Sequence, residues 1–251
     1  MFSFSTIAAT LTPHRAFYEM RLGTANQNSV VQAISGRSAF TLDRDCNGWR
    51  SNENYIIELR NKKGELDRVL SRVESWESNN GEMYSFDVNE LSSFQKGKNF
   101  SGYAEIKPTG GGAYFSMEDG ARIELPVDTH FPILHMKSIL DSAENGKTIL
   151  AASVFLGAKP DDSLLATNTV IGVWKNEVAG DNMGELGQDG YWPIQTAYFK
   201  PTSPTAMPEY EIHYSMQRNG IVRRYVIDYG DFTIIADLLK LEAASDQIRC
   251  Q

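Results

Sequence analysis

Asp128, His130 and His135 are the tightest grouping of reactive side chains in this sequence, and a carboxylate with two imidazoles is the smallest set that could hold a transition metal. Their spacing argues against it. Read as one helix, positions 130 and 135 point to different faces, whereas zinc-binding histidines sit about three or four residues apart. The simpler reading is Thr129 as a helix cap followed by packed or surface histidines. The other histidines, His14 and His213, have no neighbours that mark a general base, and no Gly-x-Ser-x-Gly elbow supplies a nucleophile. A triad assembled in space leaves no trace in linear spacing, so a metal-dependent or serine-type hydrolase stands as the alternative. The expectation is a protein that is not an enzyme, with no catalytic, cofactor-binding or metal-binding residues.

Other stretches with chemical potential have plainer explanations. Gly110-Gly111-Gly112 precedes a strand pattern instead of a helix and lacks a following Lys-Ser or Lys-Thr, so it reads as a flexible turn and not a phosphate loop. Glu118-Asp119 and Asp161-Asp162 lack the periodicity of a calcium loop and read as solvated turns. Asn99-Phe100-Ser101 fits a glycosylation sequon, a triplet common by chance.

The chain has two cysteines, Cys46 and Cys250. Bonded to each other they would close a loop of about 200 residues, pin the C-terminal tail, stabilise the fold by about 5 kcal/mol before strain, and imply export. The other reading is two unrelated thiols, one buried and one on a loose tail. No Cys-x-x-Cys motif is present, so redox catalysis is not expected.

The bulk composition narrows the class further. At 251 residues, 41% hydrophobic and 22% charged, the chain has enough apolar content for a real core. A net charge of -8 with pI near 5.1 argues against general binding to nucleic acid or anionic lipid surfaces. No apolar run approaches the roughly eighteen residues of a membrane-spanning helix. Residues 1-10 lack a basic region and are too short for a signal peptide; they read as a mature N-terminal extension, with 11-251 as a single β-rich domain.

The elements that must position these residues are strands. Apolar and polar residues alternate over Phe17-Leu22, Val30-Leu42, Tyr55-Leu59, Val69-Trp76 and Met83-Val88, with Asn79-Asn80-Gly81 as a hairpin turn. Short strands follow over Tyr103-Lys107, Ala113-Met117 and Ala121-Leu125. One helix is predicted near residues 130-142, with Pro132 in its first turn, an apolar stripe of Ile133, Met136, Ile139 and Leu140, and Asn145-Gly146 ending it. Strands resume to the end, the last three as a meander turning at Asn219-Gly220 and Gly230-Asp231. The fold class is therefore all-β and mainly antiparallel, in one sheet long enough that it must curl to hide its edges. With 11% aromatic residues, its interior is either filled by rings or left as an apolar cleft for a lipid, acyl chain or peptide.

Several runs, in order and spacing, resemble the cell-envelope integrity EipB family across nearly the whole chain. They are Leu11-Thr12-Pro13-His14-Arg15-Ala16-Phe17-Tyr18, Ser35-Gly36-Arg37, Cys46-Asn47-Gly48-Trp49 and Leu125-Pro126-Val127-Asp128-Thr129-His130-Phe131-Pro132 leading to His135 and Ile139-Leu140. Further runs are Asn219-Gly220-Ile221-Val222, Asp228-Tyr229-Gly230-Asp231-Phe232, Leu241-Glu242 and the terminal Cys250. The resemblance implies an exported, soluble protein of the Gram-negative periplasm, its signal peptide removed, folded as a β-spiral or incomplete barrel with one helix, and a disulfide joining Cys46 to Cys250. It implies a role in keeping the envelope intact and carries over no catalytic residues; with the aromatic-rich alternation of the sheet, the expectation is no cofactor and a binding role, with other periplasmic or envelope proteins, lipid or lipoprotein as partners. The same curled shape is similar, at the level of fold alone, to carriers of the LolA and LolB kind and to the stress sensor RseB.

Overall fold

A computed structural model describes residues 10-94, 97-116, 120-177, 183-201 and 205-244. The first arm of the chain forms β1 (His14-Ala25), β2 (Val31-Arg44), β3 (Gly48-Asn61), β4 (Leu66-Ser78), β5 (Met83-Ser92), β6 (Lys98-Lys107), β7 (Gly110-Ser116) and β8 (Arg122-Leu125). The second begins with β9 (Thr129-His130) and α1 (Pro132-Glu144), then β10 (Ile149-Phe155), the single turn α2 (Pro160-Ser163), β11 (Leu164-Ile171) and β12 (Trp192-Phe199). It closes with the predicted meander, β13 (Tyr210-Met216), β14 (Val222-Asp228) and β15 (Phe232-Ala243).

All fifteen strands belong to one sheet in the order β8-β7-β6-β5-β4-β3-β2-β1-β15-β14-β13-β12-β11-β10-β9. Every pair is antiparallel except β9 with β10. The order explains the shape. β1 lies mid-sheet between β2 and β15, and the two arms wind away from it until their last strands, β8 and β9, become neighbours in sequence through Pro126-Val127-Asp128. An open twisted sheet rarely exceeds about ten strands without curling. This one curls into a nearly closed barrel whose seam, between β8 and β9, has no ladder.

Behind the seam the interior is packed solid with rings. Tyr84 and Phe86 of β5 meet Phe131 and Phe155 of the second arm, with Tyr84-Phe131 centroids at 5.2 Å and Phe86-Phe155 at 5.8 Å. Phe115 of β7 adds an edge contact to Phe155 at 6.2 Å. These contacts join the two arms where backbone pairing does not, because edge-to-face and offset ring pairs add attraction beyond burial of their area.

α1 runs two residues beyond the predicted end, and its N-cap differs from the predicted one, whereas Asn145-Gly146 ends it as expected. Thr129 is not the cap: it lies in β9, and the N-cap residue is Phe131, which supplies no side-chain acceptor. The acceptor comes from β4, where Glu77 receives the N-H groups of Ile133 and Leu134, each at 2.7 Å. At the other end Gly146 (φ +70°) donates to Ala143 O at 3.0 Å and Lys147 to Ser142 O at 2.9 Å, the Schellman pairing expected where glycine follows a helix. Ile133, Ile139, Leu140 and Ala143 bury one face of α1 among Leu42, Trp49, Trp192 and Met216.

The glycine run also departs from expectation. Gly110, Gly111 and Gly112 pair in the ladder with Lys107, Ile106 and Glu105, and the turn is Pro108-Thr109 instead. A Cβ on Gly111 would stand 2.6 Å from the Glu105 carbonyl oxygen and 2.5 Å from Ile106, so glycine there permits close backbone approach.

Candidate functional site

The aromatic packing does not extend through the whole sheet. A cavity of about 500 Å³ remains between β1-β3, β12-β15 and the inner face of α1, within the size range of small-molecule sites. Strand alternation builds its wall: His14, Tyr18 and Met20 on β1 share the inward face with Ala16, and Glu53, Tyr55 and Ile57 on β3 are successive inward positions. Ile212, Tyr214 and Met216 do the same on β13, while His135, Met136 and Ile139 present one side of α1. The lining is largely apolar, with tyrosine rings as its main amphipathic element.

Most polar atoms in this wall are satisfied within the protein. Tyr18 Oη donates to Val222 O at 2.7 Å, Tyr214 Oη meets Thr196 Oγ1 at 3.1 Å, and Tyr225 Oη meets Ser38 Oγ at 3.3 Å. Tyr55 Oη donates to Glu90 Oε2 at 3.1 Å, and that carboxylate is neutralised by Lys98 at 2.5 Å. Burial pushes the Tyr214 hydroxyl up to about 12, so it is neutral at any physiological pH.

Among the described residues the hydroxyls of Tyr198 and Tyr229 have no hydrogen-bond partner, and the one carboxylate in the lining, Glu53, has none either. Its cross-strand neighbours are Phe40 on β2 and Val73 on β4, and among the described residues its carboxylate has neither a hydrogen-bond nor an ion-pair partner. Desolvation raises its pKa with no opposing contribution. The two basic side chains in the lining are histidines whose pKa burial lowers: His14, in contact with Thr12 O at 2.7 Å, and His135, brought down to about 4 by burial and by His130. Neither is a cation that could balance Glu53.

The predicted reactive residues are only partly assembled. His130 precedes the helix, on β9, so the helical-face argument that separated it from His135 does not apply: the two rings lie 6.3 Å apart. His135 Nε2 contacts Thr167 Oγ1 at 3.4 Å, whereas His130 Nδ1 and Thr129 Oγ1 are buried without a partner. Asp128 is close enough to raise the pKa of His130, against the larger lowering by burial. Among the described residues no group of three or more His, Cys, Asp or Glu is placed to hold a metal ion. His213 lies between the cavity-lining Ile212 and Tyr214 but on the opposite, outer face of β13, beside Glu211 at 3.4 Å. Cys46 lies in the turn between β2 and β3; Cys250, and the bridge expected between them, fall outside the described residues.

Sequence reasoning singled out neither Glu53 nor the tyrosine wall as a site. The polar run Ser51-Asn52-Glu53-Asn54 masks the start of β3, although the inward series Trp49, Glu53, Tyr55 and Ile57 carries a period of two that marks Glu53 as facing in.

Three similarities place these features among known proteins. A family model described as EipB-like matches residues 5-245. The cell envelope integrity protein EipB of Brucella abortus (strain 2308) is 29% identical over 256 residues, covering 94% of this chain and 85% of that protein. A crystal structure of a beta-barrel-like protein from Brucella abortus, assigned to a domain of unknown function, superposes with a TM-score of 0.88 at 26% identity, over 95% of this chain and 100% of that one. Among the described residues no helix is long and apolar enough to cross a membrane.

Proposed function

This chain belongs to the EipB-like family, and from that premise we propose that it supports cell-envelope integrity from the periplasm, without catalysis, by holding an amphiphile in the cavity of its curled sheet. The observation that carries the reading is the cavity itself: about 500 Å³ of space with a mostly apolar wall, left open in a sheet whose other half is filled with rings. A solid core would leave no such volume, because protein interiors normally pack to crystal density. The name of the Brucella relative, a cell envelope integrity protein, supports the role at the level of the envelope. Export and a Cys46-Cys250 bridge belong to the same reading, supported by the absence of a free thiol among the described residues.

The test is ligand retention. Native mass spectrometry of protein purified from the periplasm, with displacement of a fluorescent apolar probe, should show a bound amphiphile in the wild type. Ile212→Trp, which adds a large ring to the cavity wall, should weaken probe binding about tenfold or more. Equal probe binding by both proteins, with no retained lipid, would remove the cavity from the proposal.

A further inference from the structure

Resting on the cavity reading above, the structure assigns a chemical class to the ligand: we propose a long-chain amphiphile whose polar end is a cation, an alkylamine or alkylammonium, seated against Glu53 beside the tyrosine rings. The argument starts from a contrast between two acids. Glu90, inward on β5, is matched by Lys98 at 2.5 Å and by Tyr55 Oη at 3.1 Å. Glu53, inward on β3, stands between Phe40 and Val73 and faces the cavity with no partner among the described residues. A carboxylate half-buried in an apolar wall is costly unless a charge or donor meets it, and here the place for that group is the cavity.

The rest of the wall restricts what the group can be. His14 and His135 have their pKa lowered by burial and supply no counter-ion, so an anionic head, such as a carboxylate or sulfate, would find no cation in the lining beside Glu53. Tyr18, Tyr214 and Tyr225 have their hydroxyls engaged within the protein, which leaves ring faces, and rings attract cations through their quadrupole. Tyr18 and Tyr225 already stand edge to face, centroids 5.2 Å apart, and Glu53 is near enough to raise the pKa of both. A peptide would need partners for successive backbone groups, which this wall does not offer. One cation on an apolar chain matches one unpaired acid on an apolar wall.

Calorimetric titration of the full chain at pH 8 with three dodecyl probes below their micelle concentrations tests this: dodecyltrimethylammonium, dodecyl sulfate and the neutral dodecyl maltoside. The wild type should bind the ammonium about tenfold more tightly than the sulfate, and Glu53→Gln should bring the two within about twofold while leaving the maltoside unchanged. Glu53→Gln keeps the side-chain shape without an acid that lacks a partner and should melt no lower than the wild type, which separates a binding effect from misfolding. A wild type that prefers the sulfate, or a preference for ammonium untouched by Glu53→Gln, overturns the assignment of the cation and leaves the cavity reading standing. If none of the three probes binds and Ile212→Trp behaves as the wild type, the cavity reading fails and this proposal with it.

Discussion

Glu77 on β4 caps a helix 56 residues further along the chain, its Oε2 accepting from Ile133 N and its Oε1 from Leu134 N, both at 2.7 Å. The pair ties the first arm of the sheet to the element that walls the cavity. Glu77 is 2% exposed, and removing it strands the buried N-H of Ile133 and the part-buried N-H of Leu134. Glu77→Ala should cost on the order of 2 kcal/mol in chemical denaturation and should weaken binding of an apolar probe, because Met136 and Ile139 of the same helix line the cavity.

Stability should respond to pH through two buried groups of opposite sign. Burial raises the Glu77 carboxyl to about 7 from 4.5, against the opposing hydrogen bonds of Ile133 and Leu134 and the charge of Lys137. Between those values the folded state holds a proton that the unfolded chain has released, so this contribution is complete below pH 4.5 and is lost as pH rises through 7. His135, lowered from 6.5 to about 4, works in reverse: its contribution is present above pH 6.5 and is lost as pH falls through 4. From about pH 4.5 to 6.5 the two slopes oppose each other, each at most about 1.4 kcal/mol per pH unit. Urea denaturation across this window should show Glu77→Gln tilting the profile toward greater stability at higher pH, and His135→Gln tilting it the other way. Parallel profiles in all three proteins would contradict both assignments.

The ring cluster behind the seam should be the most sensitive part of the core. Phe155 is fully buried and touches Tyr84, Phe86, Phe115 and Phe131. Phe155→Ala should destabilise by about 3-5 kcal/mol, since the rings around the hole are held by both arms and cannot collapse freely. Phe155→Leu should cost visibly less. A thermal melt of the three proteins orders them.

A bridge between Cys46 and Cys250 should make stability depend on redox conditions. Cys46→Ser should lower the melting temperature of the oxidised protein, and a reductant should lower the wild type to the same value. The loop-entropy account puts the loss at up to about 5 kcal/mol for a closure of about 200 residues. Equal melting in every condition would exclude the bridge.

Much of the fold was legible in the chain. Alternation identified the meander over Glu209-Leu241, the hairpin at Asn79-Gly81 and a helix near residues 130-142, because strand and helix periods are local properties of the backbone. Two strand starts were hidden, Gly48-Asn54 of β3 and Lys98-Gly102 of β6, where polar residues on both faces blur the alternation. Gly110-Gly112 read as a turn, and pairs instead in a ladder, because glycine signals permissive backbone without saying which close approach uses it.

The site was less legible, for a reason that Glu53 and Glu77 illustrate together. Both are glutamates on inward positions of neighbouring strands, and nothing local distinguishes them. Where the sheet closes over α1, Glu77 meets the open N-H groups of a helix, while Glu53 stands between Phe40 and Val73 and faces the cavity. The sequence by itself determined an all-β chain with one helix, two cysteines and an aromatic interior, since these follow from period and composition. Which rings fill the barrel, which leave it hollow and which acid goes unpaired were decided by tertiary structure alone, because they depend on how two arms distant in sequence curl to meet at β8 and β9.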